Sequence, residues 1–132
     1  MTQEDKELLL KDLSARLPYG VKVQTPYSDA FLIGIIDRKG YKKDERYIDA
    51  ITDRQTYPIR YVKPYLRPMS SMTEKERFEY LNACGNEMDN ALSSPRYSGI
   101  DWLNAHHFDY RGLIEKGLAL EAPEGMYNIK EK

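Results

Sequence analysis

The hydrophobic period of this chain changes from strand-like to helical near Thr73, and that change restricts the fold more than any other feature. Between Val21 and Val62 short apolar-containing stretches follow one another with the spacing of strands and hairpin connections. From Thr73 onward apolar residues recur every three or four positions, as a helix requires. A strand-rich half followed by a helical half in 132 residues gives a single domain of the α+β class. Residues 1–68 form a helix plus a small sheet, and residues 69–132 a helical half packed on it.

The individual elements follow from local chemistry. Thr2 can cap a helix whose third position is Asp5, and Leu9, Leu10, Leu13 and Leu17 then fall at helical spacing with Lys6, Lys11 and Asp12 turned to water. Pro18-Tyr19-Gly20 ends that helix. Val21 to Gln24 alternates cleanly, while Ala30 to Ile36 is apolar on both faces and predicts a central strand covered on both sides. A charged loop from Arg38 to Glu45 leads into a strand over Arg46–Thr52. Asp53–Gln55 makes a hairpin connection, and Thr56–Val62 returns with Tyr57, Ile59 and Tyr61 on one face. Pro58 lacks an N–H, so that strand runs at an edge or carries a bulge there. Prolines at 64 and 68 make Lys63–Pro68 an extended hinge leaving the sheet.

Thr73 and Glu76 form a full capping box, and the helix behind it carries Phe78, Leu81, Gly85, Met88 and Leu92 on one face before Ser93-Ser94-Pro95 breaks it. Gly85 within that stripe predicts close approach of another backbone. A short helix over Asp101–Phe108 turns Trp102, Leu103 and His106 inward. A last helix runs from Asp109 as N-cap to Gly117, where Leu118 meets Leu113 in a Schellman ending. Together these predict an antiparallel sheet of four or five strands, able to roll into a small barrel of the Src-homology type. One N-terminal helix and three C-terminal helices would cover its open side.

Charge is distributed unevenly along this chain. Residues 1–68 hold 13 Lys/Arg against 10 Asp/Glu, and residues 69–132 hold 7 against 11. The positive excess concentrates in Arg38–Arg67, where five tyrosines are interleaved with the bases. Lysine and arginine can neutralise phosphates, and tyrosine buries a large area at small entropic cost. The candidate interaction surface is therefore the loop residues Arg38, Lys39, Tyr41, Lys42 and Lys43 together with Tyr57, Arg60, Tyr61 and Tyr65. The expected partner is another protein, with nucleic acid as the alternative. The plain structural reading is that tyrosines favour strands and some of these rings line the core.

Nothing comparable points to catalysis. His106, His107 and Asp109 are the only clustered metal-ligand types, but adjacent residues on a helix diverge by about 100°, so the histidines cannot share an ion there. A metal-dependent hydrolase at these three residues is the weakest of the alternatives. The structural expectation is that His106 packs on Trp102 and Asp109 caps the next helix. No glycine-rich phosphate loop or serine elbow occurs, and no cofactor is implied. Cys84 is the only cysteine, which excludes an internal disulfide and predicts a buried, inert thiol. The acidic N-terminus and the shortness of the longest apolar run predict a cytoplasmic protein with no membrane partner.

Two blocks carry a resemblance: KPYLRPMSSMT from Lys63 to Thr73, and WLNAHHFDYRGLIEKGLALEAPEGMY from Trp102 to Tyr127. They resemble a set of short uncharacterised proteins found in genomes of gut anaerobes and in their prophages and mobile elements. The similar blocks make up about a quarter of the chain. The resemblance implies accessory biology of phages or mobile elements and transfers no catalytic or cofactor residue.

Overall fold

A computed structural model describes residues 1–42, 46–84 and 97–127. Helix α1 (Gln3–Arg16) opens on the Thr2–Asp5 capping box: the Asp5 N–H donates to Thr2 Oγ1 at 3.0 Å and the Thr2 N–H to Asp5 Oδ2 at 3.1 Å. A 3-10 turn over Leu17–Tyr19 and left-handed Gly20 then reverse the chain. Strands β1 (Lys22–Gln24), β2 (Asp29–Lys39), β3 (Arg46–Thr52) and β4 (Thr56–Pro58) form a continuous antiparallel meander. Strand β5 (Lys63–Pro68) returns beside β1, and the two-residue strands β6 (Phe108–Asp109) and β7 (Leu120–Glu121) pair parallel to β5.

The class is α+β as expected, but the sheet is mixed and open. Its order is β4-β3-β2-β1-β5-β6, with β7 also on β5, so the path has two ends and does not close into a barrel. The parallel pairs arise because neither strand follows β5 through a hairpin: β6 comes after α2 (Glu74–Cys84) and α3 (Tyr97–Ala105), and β7 comes later still. Lys63–Pro68 is therefore no hinge. Its prolines are tolerated because β5 shares its length among three short partners: β1 at Lys63 and Pro64, β7 at Tyr65 and Leu66, β6 at Arg67 and Pro68. The bonds it makes avoid the missing N–H groups: Arg67 donates to the His107 carbonyl and Leu66 accepts from Ala122, both at 2.7 Å.

Other expectations shift in extent. Strand β2 runs on through Arg38 and Lys39, into the start of the expected loop. The Thr56–Val62 strand stops at Pro58 and tightens into a 3-10 turn over Ile59–Tyr61, which rotates Tyr61 outward while Tyr57 and Ile59 stay in the core. Helix α2 (Glu74–Cys84) has its capping box as read; Gly85, Met88, Leu92 and the Ser93-Ser94-Pro95 break lie outside the described residues. A close approach is found at Gly99 of α3, where an added Cβ would come 2.7 Å from Cys84 Sγ. Cys84 is half-buried there, less enclosed than expected.

The last expected helix is a single turn over Leu113–Gly117. Its ending is the Schellman motif: Leu118 N–H donates to Leu113 O at 2.9 Å and Gly117 N–H to Ile114 O at 3.0 Å, with Gly117 at φ 76°. Positive φ at Gly112 bends the chain so that Asp109, in β6, reaches past the turn's start and takes the N–H groups of Leu113 (2.9 Å) and Ile114 (3.0 Å). The core lies on one face of the sheet. Leu9 and Leu13 of α1, Leu113 of the turn and Leu118 and Ala119 just after it pack on Val21, Val23, Leu32, Ile48, Ala50 and Leu66.

Candidate interaction surface

The opposite face of the sheet carries the unexpected feature. Ala30, Leu32 and Ile35 point to the core, and a bulge between Leu32 and Gly34 in the β2–β3 pairing resets the alternation there. Phe31, Ile33, Gly34, Ile36 and Arg38 consequently all lie on the outer face. Register places Lys22 beside Phe31, Ile51 beside Gly34, Asp49 beside Ile36 and Tyr47 beside Arg38. Ile33 is 60% exposed, Phe31 42% and Ile36 40%. These three side chains stay open to solvent, so the strand predicted to be covered on both sides is covered on one along this stretch. Its apolar residues form a strip bounded by Asp29 at one end and Arg38 at the other.

The residues singled out by sequence are dispersed relative to this strip. Arg38 lies on it, bonded to Asp49 Oδ2 at 3.0 Å and set over the Tyr47 ring at 5.3 Å. Lys39 ends β2 and is exposed; Tyr41 and Lys42 are exposed beyond it, and Lys43 lies outside the described residues. Arg60 covers the ring of Tyr61, which is 51% exposed. Tyr57 and Tyr65 are buried, which corrects the expected tyrosine patch. Tyr57 faces Ala50 inside the meander. Tyr65 reaches across to Asp29, its hydroxyl donating to Oδ1 at 2.8 Å, and burial together with that carboxylate pushes the phenol up from its ordinary range. Tyr57 joins the core, whereas Tyr65, alternating with Pro64 and Leu66, is buried on the other side of β5 beside Asp29.

Several bases in the segment are also committed to acids. Arg46 bridges Asp37 of β2 (2.7 Å) and Glu7 of α1, tying the start of the helix across the end of the sheet. The Arg46 guanidinium holds the Asp37 carboxyl below its ordinary range. Arg67 forms a two-pronged bond to Glu76 (2.7 and 2.9 Å) beneath a groove of about 680 Å³ between β5, α2 and the chain after β7. Burial pushes the Glu76 carboxyl up, but Arg67 and the Thr73 cap outweigh it and hold it low.

The His106–His107–Asp109 cluster is held apart. His106 stacks on Trp102 at 3.9 Å, as expected, with its Nδ1 at 3.0 Å from the Trp102 carbonyl. His107 adopts φ 65° and stacks on Tyr127 at 3.6 Å, while Asp109 gives both oxygens to the turn that follows it. Among the described residues no three His, Cys, Asp or Glu side chains gather as a metal site. Nor is any described helix long and apolar enough to cross a membrane.

Sequence reasoning missed a buried ionic knot. Asp12, expected in water, is fully buried: Arg16 grips it with Nε at 2.7 Å and Nη2 at 3.1 Å, and Arg111 donates to it at 2.9 Å. Arg16, also fully buried, donates further to the Phe108 carbonyl at 2.7 Å, while Arg111 bonds the Tyr110 hydroxyl, which in turn bonds Asn104. A signal was available, since positions 9, 12, 13 and 16 share one helix face with Leu9 and Leu13. The knot joins α1 to β6 and the segment after it. The whole is an α+β domain whose sheet packs its core on one face and exposes the apolar strip of β2 on the other. No protein-family model, curated protein or solved structure matches this chain.

Proposed function

We propose that this chain is a non-enzymatic, cytoplasmic protein-interaction module that docks a protein partner on the outer face of β2 and β3. One observation carries the reading: three large apolar side chains, Phe31, Ile33 and Ile36, stand exposed in line on a central strand of the sheet. Singly exposed apolar residues are ordinary, but a contiguous strip rimmed by charge is characteristic of an interface. The resemblance to accessory proteins of phages and mobile elements fits a small binding module of this kind. A photo-crosslinking residue placed at Ile33 should trap a protein in cells, and the companion change Ile36→Glu should abolish the adduct. Crosslinking no stronger than from a control position at exposed Glu4 would overturn the reading.

A second reading has its own observation. Tyr41 has a fully exposed ring beside the exposed Arg38, Lys39 and Lys42, an arrangement suited to stacking on a base and following a phosphate backbone. On that reading, affinity for a single-stranded oligonucleotide falls steeply between about 50 and 200 mM salt and drops further in Tyr41→Ala. Absence of binding at the low-salt end would remove it.

A further inference from the structure

Resting on the protein-docking reading, we propose that the occupant of the outer sheet face is a second copy of this chain, packed face to face with β2 antiparallel to its counterpart. The outward residues of β2 are Asp29, Phe31, Ile33, Gly34, Ile36 and Arg38. The bulge places Ile33 and Gly34 consecutively on this face, so the strip is matched about its own midpoint. A two-fold axis between the sheets, perpendicular to β2 and passing between Ile33 and Gly34, brings Asp29 over the partner copy's Arg38 and Phe31 over its Ile36. The same operation seats Ile33 over Gly34 of the other copy, where no side chain rises.

An isologous interface requires this property: each half of the patch must complement the other half. A foreign partner requires no such internal match. Both terminal charges can respond. Asp29 uses Oδ1 for the Tyr65 hydroxyl, which leaves Oδ2 to accept, and Arg38 is bonded to Asp49 through Nη2 alone, with a side chain 58% exposed.

The size of the strip sets the expected strength. From Asp29 to Arg38 it is about 30 Å long, and three strands make it about 14 Å wide, for a footprint of about 400 Å². Standard interfaces bury about 800 Å² per partner, so a weak dimer follows, populated only at high protein concentration.

Sedimentation of the full chain across a concentration series tests this. The expected result is a shift from 15.4 kDa toward twice that mass at high concentration, with Ile33→Glu remaining monomeric. Charge reversal tests the register. Asp29→Lys alone sets two bases against each other at both ends of the dimer, and Arg38→Glu alone sets two acids, so each should dimerise about ten-fold more weakly. Mixed together, the two variants form a heterodimer with an opposite pair at both ends and should recover wild-type affinity. That recovery shows that both variants are folded. A mixture no tighter than either variant alone would overturn the register, and a wild-type chain monomeric at millimolar concentration would overturn self-association. If the Ile33 crosslink then joins a foreign protein, the docking reading stands without the dimer; if it joins nothing, both fall.

Discussion

Replacing Asp12 with alanine should destabilise the protein by about 3–5 kcal/mol, the usual cost of leaving a buried charge without its partner. Among the described residues Asp12 is the one acid bonded to both the fully buried Arg16 and the largely buried Arg111. Without it, Arg16 keeps one bond, to the Phe108 carbonyl, because its Nη1 finds no acceptor among the described residues. In a chain of this length that loss corresponds to a fall in thermal midpoint of about 10–20 °C. Urea unfolding of the two proteins measures it directly. The double change Asp12→Leu, Arg16→Met separates the cost of a stranded charge from the cost of lost packing. It removes both fully buried ions at similar volume and leaves Arg111 with its bond to Tyr110 and a path to water. Its stability should therefore lie well above that of Asp12→Ala. A loss below about 1 kcal/mol in the single variant would mean that water reaches Arg16 and that the knot is not buried.

That knot also shows where the sequence was legible and where it was not. Features decided by neighbours in the chain read correctly: the Thr2 and Thr73 caps, the Asp53–Gln55 hairpin, the bounds of β3, and the Schellman ending at Gly117. Each depends on a few adjacent residues with a distinctive conformational preference. Features decided by distant partners did not. Asp12 looks like a surface acid until Arg111, 99 positions away, is brought beside it. Lys63–Pro68 looks like a hinge until β6 and β7, contributed from beyond Phe108, supply its partners. The candidate surface divides in the same way. Strand propensity identified the tyrosines, but cross-strand packing sent Tyr57 and Tyr65 inside. The outer strip was hidden by its own composition: a run apolar on both faces reads as fully buried, and only a one-residue bulge shows which residues share the uncovered side.

Acid should weaken the fold earlier than carboxylate titration alone would, because of His107. Burial, with the nearby charges of Arg16, His106 and Arg67, pushes its imidazole down from 6.5 to about 4. Its ring is enclosed against Tyr127 at 3.6 Å, and Nδ1 has no hydrogen-bond partner among the described residues to hold an added proton. The unfolded chain therefore takes up a proton between pH 6.5 and 4 that the folded chain refuses. Stability is complete above the unfolded value and falls as pH drops toward the folded one. The slope is about 1.4 kcal/mol per pH unit, which sums to about 3 kcal/mol at most. His107→Asn isolates this contribution. Asparagine tolerates the left-handed φ of 65° at that position and does not titrate. The variant should begin less stable at pH 7, having lost the stack on Tyr127. Its urea midpoint should then change less between pH 6.5 and 4.5 than that of the wild-type chain, by close to one proton's worth of slope. Parallel curves for the two proteins would mean that His107 protonates freely in the folded state and that its enclosure between Tyr127 and Arg16 is open to solvent.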